Sequence, residues 1–167
     1  LLVLNDMLGQ TSLIGCLTYH SILSLCRIGA VVMETNSFAA FNLTSGGQSS
    51  EATSLLIDGI SYLPGKASAT GQALDVAREE LLAAGSPGRR AGVRSVVFMT
   101  VDSKSQEGID VVVDSVAQLK ATGARVVVIA VDVVDADSLA ELRMIGSQVT
   151  DLYQLSDVEA LIAQGKL

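Results

Sequence analysis

The chain has 167 residues, a length that fits one domain with a single sizeable hydrophobic core. Hydrophobic residues make up 49% of it and aromatic residues only 4%, which predicts an aliphatic core like that of a parallel sheet covered by helices. Its 18 acidic and 11 basic residues give a net charge of −7, which argues against nucleic acid as a partner, and no apolar run reaches the roughly 18 residues that membrane insertion needs.

In the first half of the chain, the spacing of apolar residues predicts three strands and three helices. In chain order these are a strand at residues 1–4, a helix at about 11–26, strands at 28–34 and 37–42, and helices at 51–62 and 70–84. Thr11 is the expected cap of the first helix. Because only Thr35-Asn36 separates the second strand from the third, we expect a β-hairpin with a two-residue turn.

In the second half, strands and helices alternate plainly. In chain order we expect a strand at 96–100, a helix at 109–121, a strand at 125–131, a helix at 135–145 capped by Asp135 or Asp137, a strand at 152–155 and a final helix from 156. The pattern predicts a doubly wound α/β fold: a six-stranded, mostly parallel sheet with one antiparallel edge strand and helices on both faces. The strands at 96–100 and 125–131 should lie centrally, and residues 1–167 should form one domain.

The two cysteines, Cys16 and Cys26, both fall in the predicted first helix. Ten helical residues rise by about 15 Å, which is too far for a disulfide between them. We therefore expect two buried free thiols, which do not report on the cellular compartment.

No motif of a known catalytic mechanism is present in the sequence. His20 is the only histidine, and no Ser-His-Asp grouping, G-x-S-x-G, G-x-G-x-x-G or Walker motif is present. We therefore expect no enzymatic activity.

Asn42-Leu43-Thr44 is an N-glycosylation sequon at the end of a predicted strand. Sequons of this length also occur by chance. Asn42 is thus a candidate glycosylation site, and the sequon is compatible with secretion.

Four stretches carry a resemblance to a known family. They are G-K-A-S-A-T-G-Q-A-L at 65–74, S-V-V-F-M-T-V-D-S at 95–103, V-V-V-I-A-V-D at 126–132 and A-E-L-R-M-I-G-S at 140–147. With the order of elements, they make the chain resemble a von Willebrand factor A domain, in the style of the extracellular matrix members such as matrilins and collagen VI.

This resemblance implies a non-catalytic module of a larger, secreted matrix or adhesion protein that binds collagen or another matrix protein. An intracellular scaffold domain of the same type, assembling a multisubunit complex, is the alternative. A small-molecule or nucleotide binder on the same sheet topology is a third and more distant class.

The resemblance also implies a metal-ion-dependent adhesion site, in which D-x-S-x-S, a Thr and a further Asp hold Mg²⁺. Asp6 matches the first Asp of that motif, but Leu8 and Gln10 replace its two serines. Ser68 takes the position of the Thr, and Asp102 matches only if its loop shifts by one residue. The site is therefore degenerate: we expect no cofactor, and Mg²⁺ held by Asp6, Ser68 and Asp102 is disfavoured.

Ligands of open α/β sheets bind outside the carboxyl ends of the strands. We therefore expect a protein partner to contact the loops at 6–10, 68–71 and 102–106. The residues expected at this surface are Asp6, Gln10, Ser68, Thr70, Asp102 and Ser103. The competing interpretation is structural: solvated carboxylates at strand ends, and Ser68 or Thr70 as a helix cap.

Overall fold

A computed structural model describes residues 2–6, 26–45, 49–60 and 68–156, with the backbone alone for 2–6, Cys26 and Ser50. Cys16 and all of the predicted first helix except its last residue lie outside these ranges, as does the predicted final helix beyond Ser156. No helix in the described ranges is long and apolar enough to cross a lipid bilayer.

Six strands form one sheet, in the order β3-β2-β1-β4-β5-β6. They are β1 (Leu2–Asp6), β2 (Cys26–Val32), β3 (Phe38–Phe41), β4 (Arg94–Val101), β5 (Arg125–Val131) and β6 (Leu152–Leu155). Strand β4 lies inside the sheet, between β1 and β5. The edge at which β4, β5 and β6 end is called the carboxyl edge below, and the edge at which they begin is called the opposite edge.

The strand directions correct the expected mostly parallel sheet. Strands β4, β5 and β6 are parallel, as predicted. Strand β1, however, is antiparallel to both of its neighbours, with Leu2 opposite Ala30 of β2 and Phe98 of β4. The edge strand β3 is antiparallel to β2, as expected. A run of aliphatic residues carries no information on direction, and for this reason the pattern at the start of the chain did not distinguish the two orientations.

Strands β2 and β3 form the predicted hairpin, but five residues, 33–37, connect them instead of two. The longer connection bonds to a distant segment around residues 69–72. The Ser37 N–H donates to Gln72 Oε1 at 2.8 Å, and the Ser37 hydroxyl donates to Ala69 O at 3.3 Å. Strand β2 begins at Cys26, which was expected to end a helix, because Cys26 and Arg27 extend the ladder with β1.

Four helices are described: α1 (Ser50–Asp58), α2 (Thr70–Val76), α3 (Ile109–Ala121) and α4 (Ala136–Ile145). Helix α2 continues as one π-helical segment, Ala77–Leu81, so it ends before the predicted residue 84. Helix α1 ends at Asp58, with Gly59 as its C-cap, short of the predicted residue 62. Helix α3 has the predicted bounds, and Asp135 caps α4 by accepting a hydrogen bond from the Ser138 N–H.

The core lies on both faces of the sheet, as the alternation along β4 requires. Val97, Met99 and Val101 point toward α2, α3 and α4, where they meet fully buried side chains such as Leu74, Leu119 and Leu142. Phe98 belongs to a smaller cluster on the other face, against which Leu56 of α1 packs. Helices therefore cover both faces, as predicted. Each fully buried aliphatic side chain contributes about 1.5–3 kcal/mol.

Candidate functional site at the carboxyl edge

Three segments meet at the carboxyl edge: the hairpin connection 33–37, the start of α2 and the loop that follows β4. The Gln106 N–H donates to Ser68 O at 3.0 Å, which joins the loop after β4 to the residues just before α2. The two bonds of Ser37 join the hairpin to the same place. The site is therefore built from segments far apart in the chain.

Ser105 holds the loop after β4 in position. Its hydroxyl donates to Ser68 O at 3.0 Å and accepts from the N–H groups of Thr70 at 3.4 Å and Glu107 at 3.2 Å. Its own N–H donates to Glu141 Oε1 of α4 at 2.8 Å. Ser105 and Glu141 are both buried, so these bonds are shielded from water and fix one loop conformation.

Glu107 caps helix α2 from a distant part of the chain. Its carboxylate accepts hydrogen bonds from the N–H of Gly71 and, at 3.3 Å, from that of Gln72. These are N–H groups of the first helical turn, which have no partner within the helix, and the helix dipole favours negative charge there. A side chain at Gly71 would crowd Glu107 Oε2 at 3.1 Å and Val111 at 3.2 Å, so glycine allows α3 to approach α2 closely.

The loop after β5 completes the carboxyl edge. Asp132 has a left-handed φ of 57° and donates its N–H to Leu155 O at 2.9 Å. Asp135 accepts from the Ser138 N–H at 2.7 Å, and hydrogen bonding to Ser138 lowers the pKa of the Asp135 carboxyl from its usual value. The start of α4 is thus held by an ionised cap.

The structure brings together only some of the predicted site residues. Asp102 and Ser103 are exposed at the carboxyl edge, where the Ser103 hydroxyl donates to Asp102 Oδ1 at 3.1 Å. Ser68 is half-buried, and its carbonyl accepts from the Ser105 hydroxyl and the Gln106 N–H of the same loop. Thr70 is only 2% exposed, so its role is structural and not one of contact with a partner.

Asp6 is not brought to this edge. Because β1 runs antiparallel to β4, Asp6 pairs with Arg94 at the start of β4, at the opposite edge of the sheet from Asp102. Gln10, the other expected residue of the first loop, lies outside the described residues.

The described residues at the carboxyl edge do not fit a magnesium site. Mg²⁺ needs about six oxygens in near-octahedral positions, with at least one or two carboxylates among them. Glu107 is the carboxylate at the start of α2, and it is engaged by backbone N–H groups, whereas Asp6 lies at the other end of the sheet. In the ranges that the structure describes, no three His, Cys, Asp or Glu side chains are grouped for a metal ion.

A polar groove of about 540 Å³ opens between the three segments. It is lined by Thr35, Ser68, Ala69, Gln72, Asp75, Gln106, Glu107 and Val111. The predicted loops 68–71 and 102–106 include Ser68, Ala69 and Gln106 of this lining, but the prediction missed Gln72 and Glu107. Glu107 has no local signal as a cap of α2, because its partner Gly71 lies 36 residues away in the chain.

Comparison with known protein families identifies one family whose model matches most of the chain. The model of the von Willebrand factor type A domain matches residues 22–164. The match includes the strands and loops that build the groove and begins after the loop at 6–10. No curated protein matches the chain closely enough to count as a relative.

Solved structures of proximal thread matrix protein 1 from the mussel byssus share the fold. Two crystal forms match with a TM-score of 0.69 and 21% sequence identity over 83% of this chain, and so does a third structure of that protein with a zinc-occupied MIDAS motif. The match covers 35% or 34% of the mussel chains, so this chain spans about a third of their length.

Proposed function

We propose, since the chain belongs to the von Willebrand factor type A domain family, that it is a non-catalytic protein-interaction module of an extracellular matrix or adhesion protein. Its partner is collagen or another matrix protein, and residues 1–167 are one domain among others in a larger secreted chain. The matrix origin of the byssus protein with the same fold supports this setting.

The observation that carries the proposal is the polar groove at the carboxyl edge. Its walls are held by the hydrogen bonds of Ser105 and Glu107, so a partner would meet a surface that is already ordered. A preorganised surface loses little conformational entropy on binding. Exposed amides of Gln72 and Gln106 and the carboxylate of Asp102 suit a partner that offers backbone amides, carbonyls and Lys or Arg side chains.

The composition of the groove supports binding over catalysis. None of the described lining side chains is a histidine, the most frequent general base. The two carboxylates that line the groove are engaged within the fold: Asp75 accepts from the Ser115 hydroxyl at 2.9 Å, and Glu107 accepts from the N–H groups of Gly71 and Gln72. The placement of Asp6 at the opposite edge and the engagement of Glu107 by backbone N–H groups support adhesion that is independent of divalent metal.

A binding assay with matched charge reversals tests this function. The chain is titrated onto an immobilised panel of fibrillar collagens and other matrix proteins. We expect saturable binding to at least one of them and a loss of about tenfold in affinity for Asp102→Lys. Asp114→Lys makes the same change in charge at an exposed position of α3 and should bind like the unmodified chain.

Two results would overturn the proposal. One is the absence of binding to every matrix protein of the panel. The other is an unchanged affinity of Asp102→Lys together with a loss of binding for Asp114→Lys, which would move the binding face away from the carboxyl edge.

A further inference from the structure

Asn42, Leu43 and Thr44 follow strand β3 and form a tight turn closed by the Asn42 side chain. Asn42 Oδ1 accepts hydrogen bonds from the Thr44 N–H at 2.9 Å and from the hydroxyls of Thr44 and Ser45. The backbone closes the same turn, since the Ser45 N–H donates to Asn42 O at 3.2 Å. This is an Asx turn, in which the Asn side chain bonds the backbone two residues further on.

The turn uses the amide oxygen of Asn42 and not its amide nitrogen. A backbone N–H can only donate, so the Asn42 atom that faces the Thr44 N–H must be the oxygen. The nitrogen, Nδ2, bonds to no described residue and is not among the buried polar atoms without a partner. A group attached to Nδ2 would therefore leave every bond of the turn intact.

Leu43, between the two sequon residues, is anchored in the core. It is 1% exposed, and the backbone at Gly88 lies so close that a Cβ there would come within 2.6 Å of the Leu43 carbonyl carbon. The folded chain cannot present residues 42–44 as an extended segment to an enzyme. Modification of Asn42 must therefore precede folding.

The position of the turn in the sheet separates it from the groove. Strand β3 begins next to the hairpin connection at the carboxyl edge and, running antiparallel to β2, ends at the opposite edge. Asn42 thus lies about 13 Å, the length of four strand residues, from the hairpin end of β3. It also ends an edge strand whose Phe38 is 41% exposed beside an apolar groove formed with Leu55 and Ile60.

We propose that Asn42 carries an N-linked glycan, which is added to the nascent chain. The glycan shields the unpaired side of edge strand β3 and leaves the carboxyl edge open to the partner. In the transfer, Nδ2 forms a bond to the anomeric carbon of a lipid-linked oligosaccharide diphosphate. The bond from that carbon to the phosphate oxygen breaks, the lipid diphosphate leaves, and one Nδ2 proton is released. A glycan beside an exposed edge strand hinders pairing with a second sheet.

The test is secretion of the chain from mammalian cells behind a cleavable signal peptide, with mass measured before and after treatment with peptide-N-glycosidase F. Residues 42–44 are the only Asn-x-Ser/Thr sequence in the chain, so a mass shift reports on Asn42 alone. We expect a shift for the unmodified chain and for Thr44→Ser, which keeps the hydroxyl. Asn42→Asp keeps the oxygen that closes the turn but should show no shift. An unshifted mass of the unmodified chain, or a shift that persists in Asn42→Asp, overturns the inference.

The same secreted protein tests whether the glycan shields strand β3 and whether it lies away from the partner-binding edge. Removal of the glycan should increase concentration-dependent association in light scattering and should leave binding to the matrix partner unchanged. Equal association with and without glycan contradicts the shielding, and stronger partner binding after its removal contradicts the placement.

The inference rests on the extracellular setting of the proposed function, but the two fail differently. Forced secretion tests the acceptor whatever the natural location of the chain is. A glycosylated chain that binds no matrix protein would sink the proposed function alone, and an unglycosylated chain that binds one would sink this inference alone.

Discussion

Glu107 is the side chain that joins the loop after β4 to helix α2. Because its carboxylate accepts from two N–H groups of the first turn of α2, we expect Glu107→Ala to lower the free energy of unfolding by about 1–2 kcal/mol. Glu107→Gln keeps an acceptor oxygen and should lose less. Glu80→Ala, at an exposed position, should change stability by under about 0.5 kcal/mol. Urea unfolding measures all three, and equal stability of Glu107→Ala and the unmodified chain would show that the cap is not formed.

Asp135 gives the chain a pH-dependent contribution to stability. The folded state lowers its pKa below the usual 3.8, chiefly through the hydrogen bonds with Ser138, so this contribution is present above about pH 4 and is lost as the pH falls through the folded pKa. Asn is also a good cap but does not titrate. We therefore expect the difference in unfolding free energy between the unmodified chain and Asp135→Asn to favour the unmodified chain more at pH 7 than at about pH 2.5. Denaturant unfolding at several pH values checks this, and a difference independent of pH would contradict it.

At the residue scale, the predictability of the site depended on sequence distance. Asp135 was one of the two caps predicted for α4, with Asp137 as the alternative, because an Asp at the start of an amphipathic segment is a local signal. The role of Glu107 was not predicted because its partner Gly71 is 36 residues away. Only the folded chain brings these two residues together.

At the scale of elements, one ion pair ties β5 to the short 3-10 helix Val149–Asp151 that precedes β6. The Arg125 Nε donates to both oxygens of Asp151 at 3.1 Å, and Nη2 makes a further bond to Oδ1. The Asp151 side chain is fully buried, whereas that of Arg125 is 52% exposed. The hydrogen bonds to Asp151 raise the pKa of Arg125, so the guanidinium keeps its charge.

Arg125→Met would leave the Asp151 carboxylate buried without its cation. We expect a loss of roughly 2–3 kcal/mol, below the range for fully buried pairs because the guanidinium is half exposed to solvent. The double variant Arg125→Met with Asp151→Leu removes the charge as well and should recover part of that loss. Thermal and urea unfolding measure these losses. A double variant that loses more stability than the two single variants lose together would contradict this explanation.

Element type was more predictable than strand direction. Helix α3 and strand β5 have the predicted bounds because each carries an uninterrupted periodic pattern between clear stop signals. The predicted direction of β1 was wrong because residues 2–4 are aliphatic, and such residues pair equally well in parallel and antiparallel orientation. The connection 33–37 was longer than predicted because Ser37 bonds to α2, a contact that lies outside the hairpin itself.

At the scale of the whole molecule, the two edges of the sheet differ in chemistry. The carboxyl edge presents the polar groove and the exposed Asp102 and Ser103. The opposite edge presents the turn of Asn42, and β1 directs Asp6 there too. Binding at one edge and glycan attachment at the other are compatible on a single domain.

The central claim is that the carboxyl edge binds a matrix protein without a divalent metal ion. It is tested most directly by surface plasmon resonance on the matrix protein that the chain binds, in EDTA and then in millimolar Mg²⁺ or Mn²⁺. We expect the same affinity in all three buffers, since Asp6 and Glu107 do not supply carboxylates to a common ion. Binding that is lost in EDTA, restored by Mg²⁺ and abolished by Asp6→Ala would contradict the claim.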